Sequence, residues 1–227
     1  CLKGVGDDVD VVLCPSHVHL DFTARLLDEQ KVIRLGAQNV SQHRQGAYTG
    51  EVSCEMLVEA GCRYVLVGHS ERRRLFGETS FIVAEKFAAV RAAGLIPILC
   101  LGESGAARQA RRAFEVIAEE LDIVIEKNGA MAFDNAIIAY EPIWAVGTGK
   151  CATPEQAQEV HSFIRGRLAE DTPVIGEKVR IIYGGSVTPT NARDLFAQPD
   201  IDGGLIGGAS LDSDAFLGIV EAAKGAS

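Results

Sequence analysis

Seven short apolar runs punctuate this 227-residue chain, at 9–15, 33–39, 64–69, 96–102, 136–142, 179–186 and 203–209. Each has the length of a strand, and most lack the apolar–polar alternation of a sheet with one wet face. Such runs predict parallel strands covered on both sides. Between them the apolar spacing turns helical. Over 111–126, Phe114, Ile117, Ala118, Leu121, Val124 and Ile125 share a face, with Glu115, Glu119, Asp122 and Glu126 largely opposite. Val160, Phe163, Ile164 and Leu168 make a second stripe. Thr153-Pro154-Glu155-Gln156 combines a capping threonine, a proline at the first helical position and a capping-box glutamine. Thr188-Pro189 repeats the cap and the proline and predicts another helix start.

The order is strand then helix, seven times over, with no linker or low-complexity stretch. That predicts a single α/β domain over 1–227. Uniform alternation builds either a closed (β/α)8 barrel or a doubly wound sheet. Glycine-rich and polar residues cluster after almost every strand, where a barrel gathers its site from many loops. No G-x-G-x-x-G follows the first run, which counts against a dinucleotide-binding sheet. The barrel is therefore the expectation, yet it needs eight strands and seven are visible. Cys1 to Gly6 reads as the tail of a helix, so the expectation is that the first βα unit is absent. Without it, the first and last runs would each present an apolar edge.

Charge and cysteine usage narrow the partners. A net charge of -9 opposes nucleic acid, whose phosphates need basic surface. A small anion can still be held by backbone amides. No run has membrane-spanning length and no signal-peptide pattern opens the chain, so a soluble protein without membrane contact is expected. Cys1, Cys14, Cys54, Cys62, Cys100 and Cys151 form no C-x-x-C pair, which argues against a zinc site and suits a reducing cytoplasm. Cys14 and Cys100 read as small buried hydrophobes. Cys151 reads either as inert packing or as an exposed, oxidisable thiol.

The candidate chemistry sits at strand ends. Glu141 closes the run at 136–142, and Pro142 holds it extended before a glycine-rich loop. A base at the end of a strand, beside a cover that can move, suits proton abstraction. His69 ends another run, followed by Ser70-Glu71-Arg72-Arg73, which reads as a short helix start with Ser70 as cap. A helix amino end disfavours the imidazolium, leaving a neutral ring that donates a hydrogen bond. Three glycine-rich pieces could cradle an anion: Gly147-Thr148-Gly149, Tyr183-Gly184-Gly185-Ser186 and Gly207-Gly208-Ala209-Ser210. Val146 to Lys150 is no nucleotide P-loop, because Trp144 stands at the first glycine's place and Cys151 at the metal-binding hydroxyl's. The polar stretch 40–52 reads either as a surface loop or as an arm that contacts another subunit.

The motifs Ala-Tyr-Glu-Pro-Ile-Trp-Ala-Val-Gly-Thr-Gly-Lys, Val-Gly-His-Ser-Glu-Arg-Arg, Leu-Gly-Ala-Gln-Asn-Val, Tyr-Gly-Gly-Ser-Val and Gly-Gly-Ala-Ser-Leu resemble the triosephosphate isomerase family, in its order and over essentially the whole chain. The resemblance implies a TIM barrel that interconverts two phosphorylated trioses in glycolysis and gluconeogenesis, without metal or organic cofactor. It implies Glu141 as base and His69 as neutral electrophile, a pairing taken over from the family. It implies Gly147, Ser186, Gly207 and Gly208 as phosphate-binding amides. Pro142, Ile143, Trp144, Ala145, Val146, Thr148, Gly149 and Lys150 would belong to a closing lid over 142–152, latched by Tyr183 and Ser186. Glu71 and Cys100 would support the site. Thr49 would tip an arm that docks into a second copy, giving a homodimer in the cytoplasm. One departure stands out: the family's first strand carries an Asn-x-Lys pair, and no such strand is visible here. If that unit is missing, the alternative expectation is an impaired or non-catalytic phosphosugar-binding barrel.

Overall fold

A computed structural model describes residues 8–27, 32–145 and 151–225. In chain order the elements begin β1 (Val11–Leu13), α1 (Leu20–Leu27), β2 (Ile33–Ala37), α2 (Cys54–Glu59) and β3 (Tyr64–Val67). They continue with α3 (Ser70–Phe76), α4 (Ser80–Ala92), β4 (Ile96–Leu101), α5 (Gly105–Gln109), α6 (Ala113–Asn128) and β5 (Ile137–Tyr140). The last are α7 (Pro154–Asp171), α8 (Pro173–Lys178), β6 (Arg180–Tyr183), α9 (Ala192–Phe196) and α10 (Ser213–Lys224).

Among the described residues, six strands form one parallel sheet in sequence order. Strand residues divide by parity between two apolar layers, as the pleat requires. Val12, Cys14, Tyr64, Leu66, Ile98, Cys100, Ile137, Ala139 and Ile182 pack together on one face. Leu35, Val65, Val67, Leu99, Leu101, Ile138, Tyr140, Ile181 and Tyr183 pack on the other, against helix residues such as Val83, Phe87, Ile117, Leu121, Val160 and Ile164. The first face meets itself, so the sheet is curled. Arg180 in β6 reaches Asp10, just before β1, at 2.7 Å, and α10 places Val220 against Val11 and Ile33. This is the curled parallel sheet of an α/β barrel.

The seventh run departs from expectation. It contributes an isolated bridge, Gly204 to Tyr183, in place of a strand. Leu205 N–H still donates to the Tyr183 carbonyl at 2.9 Å, so the segment lies where a strand would. Its sequence, Gly-Gly-Leu-Ile-Gly-Gly, has too few side chains to hold a longer ladder. Two helix starts also shift. His69, not Ser70, is the N-cap of α3. Thr188-Pro189 opens a turn whose Thr188 carbonyl accepts from Asn191 and Ala192, so α9 begins three residues after Pro189. The Thr153 capping box forms as expected. The stretch 40–52 is a loop closed at its base by Ser41 N–H to the Val52 carbonyl, 2.8 Å, with His43 and Tyr48 stacked inside it.

Candidate active site

In a parallel sheet every strand delivers its following loop to one end. Glu141 leaves β5 there, its N–H donating to the Leu101 carbonyl at 2.7 Å. Two glycines make room for it. A Cβ on Gly102 would lie 1.9 Å from the Glu141 carbonyl oxygen, and one on Gly184 would lie 3.0 Å from Glu141 Cγ. The carboxylate is buried and engaged on both oxygens. Ser70 N–H donates to Oε2 at 2.8 Å, Ser70 Oγ donates to Oε1 at 3.0 Å, and His69 Nε2 stands 3.0 Å from Oε1. The Glu71 N–H donates to His69 Nδ1 at 3.4 Å. Nδ1 is then an acceptor, which leaves Nε2 to carry the ring proton and donate it toward Glu141. Burial pushes the Glu141 carboxyl above the usual range, against the pull of His69, the Ser70 donors and Arg73.

Beneath this pair, Arg73 donates to the carbonyls of Gly68 (2.8 Å) and Cys100 (3.3 Å) and pairs with Glu120 at 3.4 Å, tying β3 to β4. Cys100 packs in the sheet's inner layer, where burial raises its thiol. Glu71 is largely exposed, its Oε2 3.8 Å from His69 Nδ1.

Pro142, Ile143, Trp144 and Ala145 form a turn, closed by Ala145 N–H to the Pro142 carbonyl at 2.7 Å. Trp144 is held by Glu103, a fully buried carboxylate after β4. Glu103 Oε1 accepts from Trp144 Nε1 (2.8 Å), Arg108 (2.9 Å) and the Tyr140 hydroxyl (3.1 Å), while the Arg108 guanidinium covers the indole. Val146, Gly147, Thr148, Gly149 and Lys150 lie outside the described residues. Tyr183 is buried, and burial pushes its hydroxyl up to about 12, against the pull of a hydrogen bond from the Ala152 backbone. Ser186 follows β6, with its carbonyl fixed by Asn191 Nδ2 at 3.1 Å. Gly207 and Gly208 are exposed at the start of a 3₁₀ turn, after the segment bridged to β6. Thr49 is exposed in the 40–52 loop.

The structure thus brings Glu141 and His69 into contact and sets Tyr183, Ser186 and Gly207–Gly208 on the neighbouring strand ends. Sequence reasoning missed Ser70 as a partner of Glu141, Arg73 as the tie under the site, and Glu103 as the anchor of Trp144. Glu103 carried a usable signal, being a strand-end carboxylate like Glu141. A small recess of about 20 Å³ lies beside the pair, between Ser70, Glu71, Arg74 and Ile143. A larger one, about 300 Å³ between α7 and α8, contains none of these residues.

Among the described residues, no helix is long and apolar enough to cross a membrane, and no cluster of side chains could hold a metal ion. A family model described as triosephosphate isomerase matches residues 2–223. The chain belongs to the triosephosphate isomerase family. Proteins named triosephosphate isomerase from Shewanella denitrificans and Shewanella halifaxensis are 69% and 68% identical to it over 226 residues, 97% of this chain and 87% of theirs. The one from Shewanella amazonensis is 69% identical over 231 residues, 99% of this chain and 89% of its own.

Proposed function

We propose that this triosephosphate isomerase family member interconverts dihydroxyacetone phosphate and glyceraldehyde 3-phosphate through Glu141 and His69. Glu141 removes a proton from the carbon beside the carbonyl, and the electron pair moves onto the carbonyl oxygen to give an enediolate. Return of the proton to the neighbouring carbon completes the exchange. His69 Nε2–H donates to the enediolate oxygens as charge develops there. Its contact with Glu141 at 3.0 Å, with Nδ1 occupied by a backbone N–H, is the observation that carries this reading. Burial keeps the carboxylate basic. To act, it has to leave the Ser70 donors, and substrate entering the site supplies the displacement. Amides of Gly147, Ser186, Gly207 and Gly208 hold the phosphate, and residues 142–152 close over it, excluding water and protecting an intermediate prone to lose phosphate. Glu141→Asp withdraws the carboxylate by about a methylene, and kcat is expected to fall about a hundredfold. A coupled assay on glyceraldehyde 3-phosphate measures it, and unchanged turnover removes Glu141 from the role.

The protein would work in the cytoplasm as a homodimer, the 40–52 arm with Thr49 seated in a second copy. Tyr48 on the arm and Met56, four residues beyond it, are exposed apolar side chains, which supports this. A further βα unit bearing the family's Asn and Lys would complete the barrel beside β1, whose outer edge pairs with no described strand. Half-buried Val9, Leu13, Leu27 and Phe216 and exposed Val18, Phe22 and Leu26 support that seat. Native mass spectrometry tests both points. The expectation is two subunits, each above 24.2 kDa by a unit of about 30 residues; a single subunit of 24.2 kDa removes both.

A further inference from the structure

One peptide group links the base to the outer helix layer. The Leu101 carbonyl accepts the Glu141 N–H at 2.7 Å, and the Gly102 N–H of that same peptide donates to Glu120 Oε2 at 3.1 Å. Glu120 is on α6, three residues after Ile117 and four before Val124, so it shares the face that the helix buries. A charge on that face is costly unless it is paired. The Glu120 side chain is 16% exposed, and its other oxygen, Oε1, lies 3.4 Å from Arg73 Nη1.

Arg73 carries the link across to the histidine. Its Nε donates to the carbonyl of Gly68, the residue before His69, at 2.8 Å, its Nη1 to Ser80 Oγ at 3.0 Å and its Nη2 to the Cys100 carbonyl at 3.3 Å. Burial raises the Glu141 carboxyl, and Arg73 is among the groups that pull it back down. Glu120 opposes that pull by offsetting the cation. Burial raises Glu120 in its turn, Arg73 and the Gly102 N–H lower it, and the charge of Glu141 adds to the rise. The other titratable groups around the base are His69 at 3.0 Å, Glu71 beside His69, the buried Cys100 thiol on β4, and Glu103 after β4, which is paired with Arg108 at 2.9 Å.

We infer that Glu120 is a positioning residue for the reaction: through the 101–102 peptide it seats Glu141, and through Arg73 its charge makes that base more basic. For its consequence in turnover this rests on the isomerase reading.

A pair of charge-removing variants tests it in the full-length protein. Glu120→Gln keeps an oxygen for the Gly102 N–H and removes the negative charge; Arg73→Gln removes the positive one. The titration of the Glu141 carboxyl is followed by carbon-13 NMR with labelled glutamate carboxyls, and Glu141→Gln identifies its signal. Glu120→Gln should lower the midpoint by about half a pH unit, less than a charge in direct contact gives. Arg73→Gln should raise it by about as much, and the double variant should lie near the unsubstituted protein. A purely structural tie predicts a different pattern. Gln keeps the bond to Gly102, so the midpoint would stay where it is, and looser packing would lower it in both single variants. An unmoved or raised midpoint in Glu120→Gln, or a lowered one in Arg73→Gln, overturns the inference. Should Arg73→Gln fail to fold, Glu120→Gln decides alone, at a thermal stability equal to that of the unsubstituted protein. The acid limb of kcat/KM should move in the same order. A midpoint that moves beneath an unmoved limb would instead count against Glu141 as the base, and so against the isomerase reading itself.

Discussion

Glu141 and Ser70 sit 71 positions apart, and their contact shows where local reading stops. A carboxylate before a proline at a strand end announces itself, and so does a histidine at the end of an apolar run. A serine opening a helix does not, because capping is its ordinary use, and His69 takes the cap here. Ser70 instead gives both its N–H and its hydroxyl to the carboxylate. Those bonds favour the ionised form and partly offset the burial that raises the Glu141 carboxyl. Ser70→Ala removes the hydroxyl and spares the N–H, so the carboxyl should move further up. The base then loses its charge at a higher pH, and the acid limb of kcat/KM should shift upward relative to the unsubstituted enzyme. A pH–rate profile measures this; an unmoved or lowered limb would show that the hydroxyl does not bear on the ionised base.

Elements were legible where cap and periodicity agree, as in α7 with its threonine–glutamine box and buried Val160, Ile164 and Leu168. They were misplaced where glycine or a turn competed, as at 203–209 and at Thr188-Pro189. One departure lies at the end of α5. Arg112 N–H donates to the Ala107 carbonyl at 2.8 Å and Arg111 N–H to the Arg108 carbonyl at 3.0 Å, the paired bonds of a Schellman stop. Its left-handed position, normally glycine, is filled by Arg111 at φ 59. A non-glycine residue there costs about 1 kcal/mol, part of which glycine returns through its freer unfolded chain. Arg111→Gly should therefore raise stability by roughly 0.5–1 kcal/mol, read as a higher urea midpoint at unchanged slope. A lower midpoint would mean that the arginine side chain makes a contact worth more than the strain.

For the molecule as a whole, the pattern of apolar runs revealed a curled parallel sheet with helices outside it, because burial on both faces leaves its mark on every strand. The polar groups enclosed by that packing left no such mark, and they govern how the fold responds to acid. His161 is the one fully buried histidine; the others are at least partly exposed. Its folded value of about 4 lies below the unfolded 6.5, so the unfolded chain takes up the proton first. The stability this neutral ring gives is complete above pH 6.5 and is lost as pH falls from 6.5 toward 4. Between pH 7 and 5 the loss is on the order of 2 kcal/mol. Glu141 and Glu120 act in the opposite sense, since burial raises both carboxyls and the folded chain binds their protons before the unfolded chain does. Their contribution grows as pH falls through their folded values toward 4.5 and is unaffected by a change at 161. Urea titrations at pH 7, 6 and 5 should therefore give a steeper decline for the unsubstituted protein than for His161→Phe, the two curves converging as the medium acidifies. Parallel curves would mean that some other group sets the acid limit, and that position 161 tolerates a proton in the folded state.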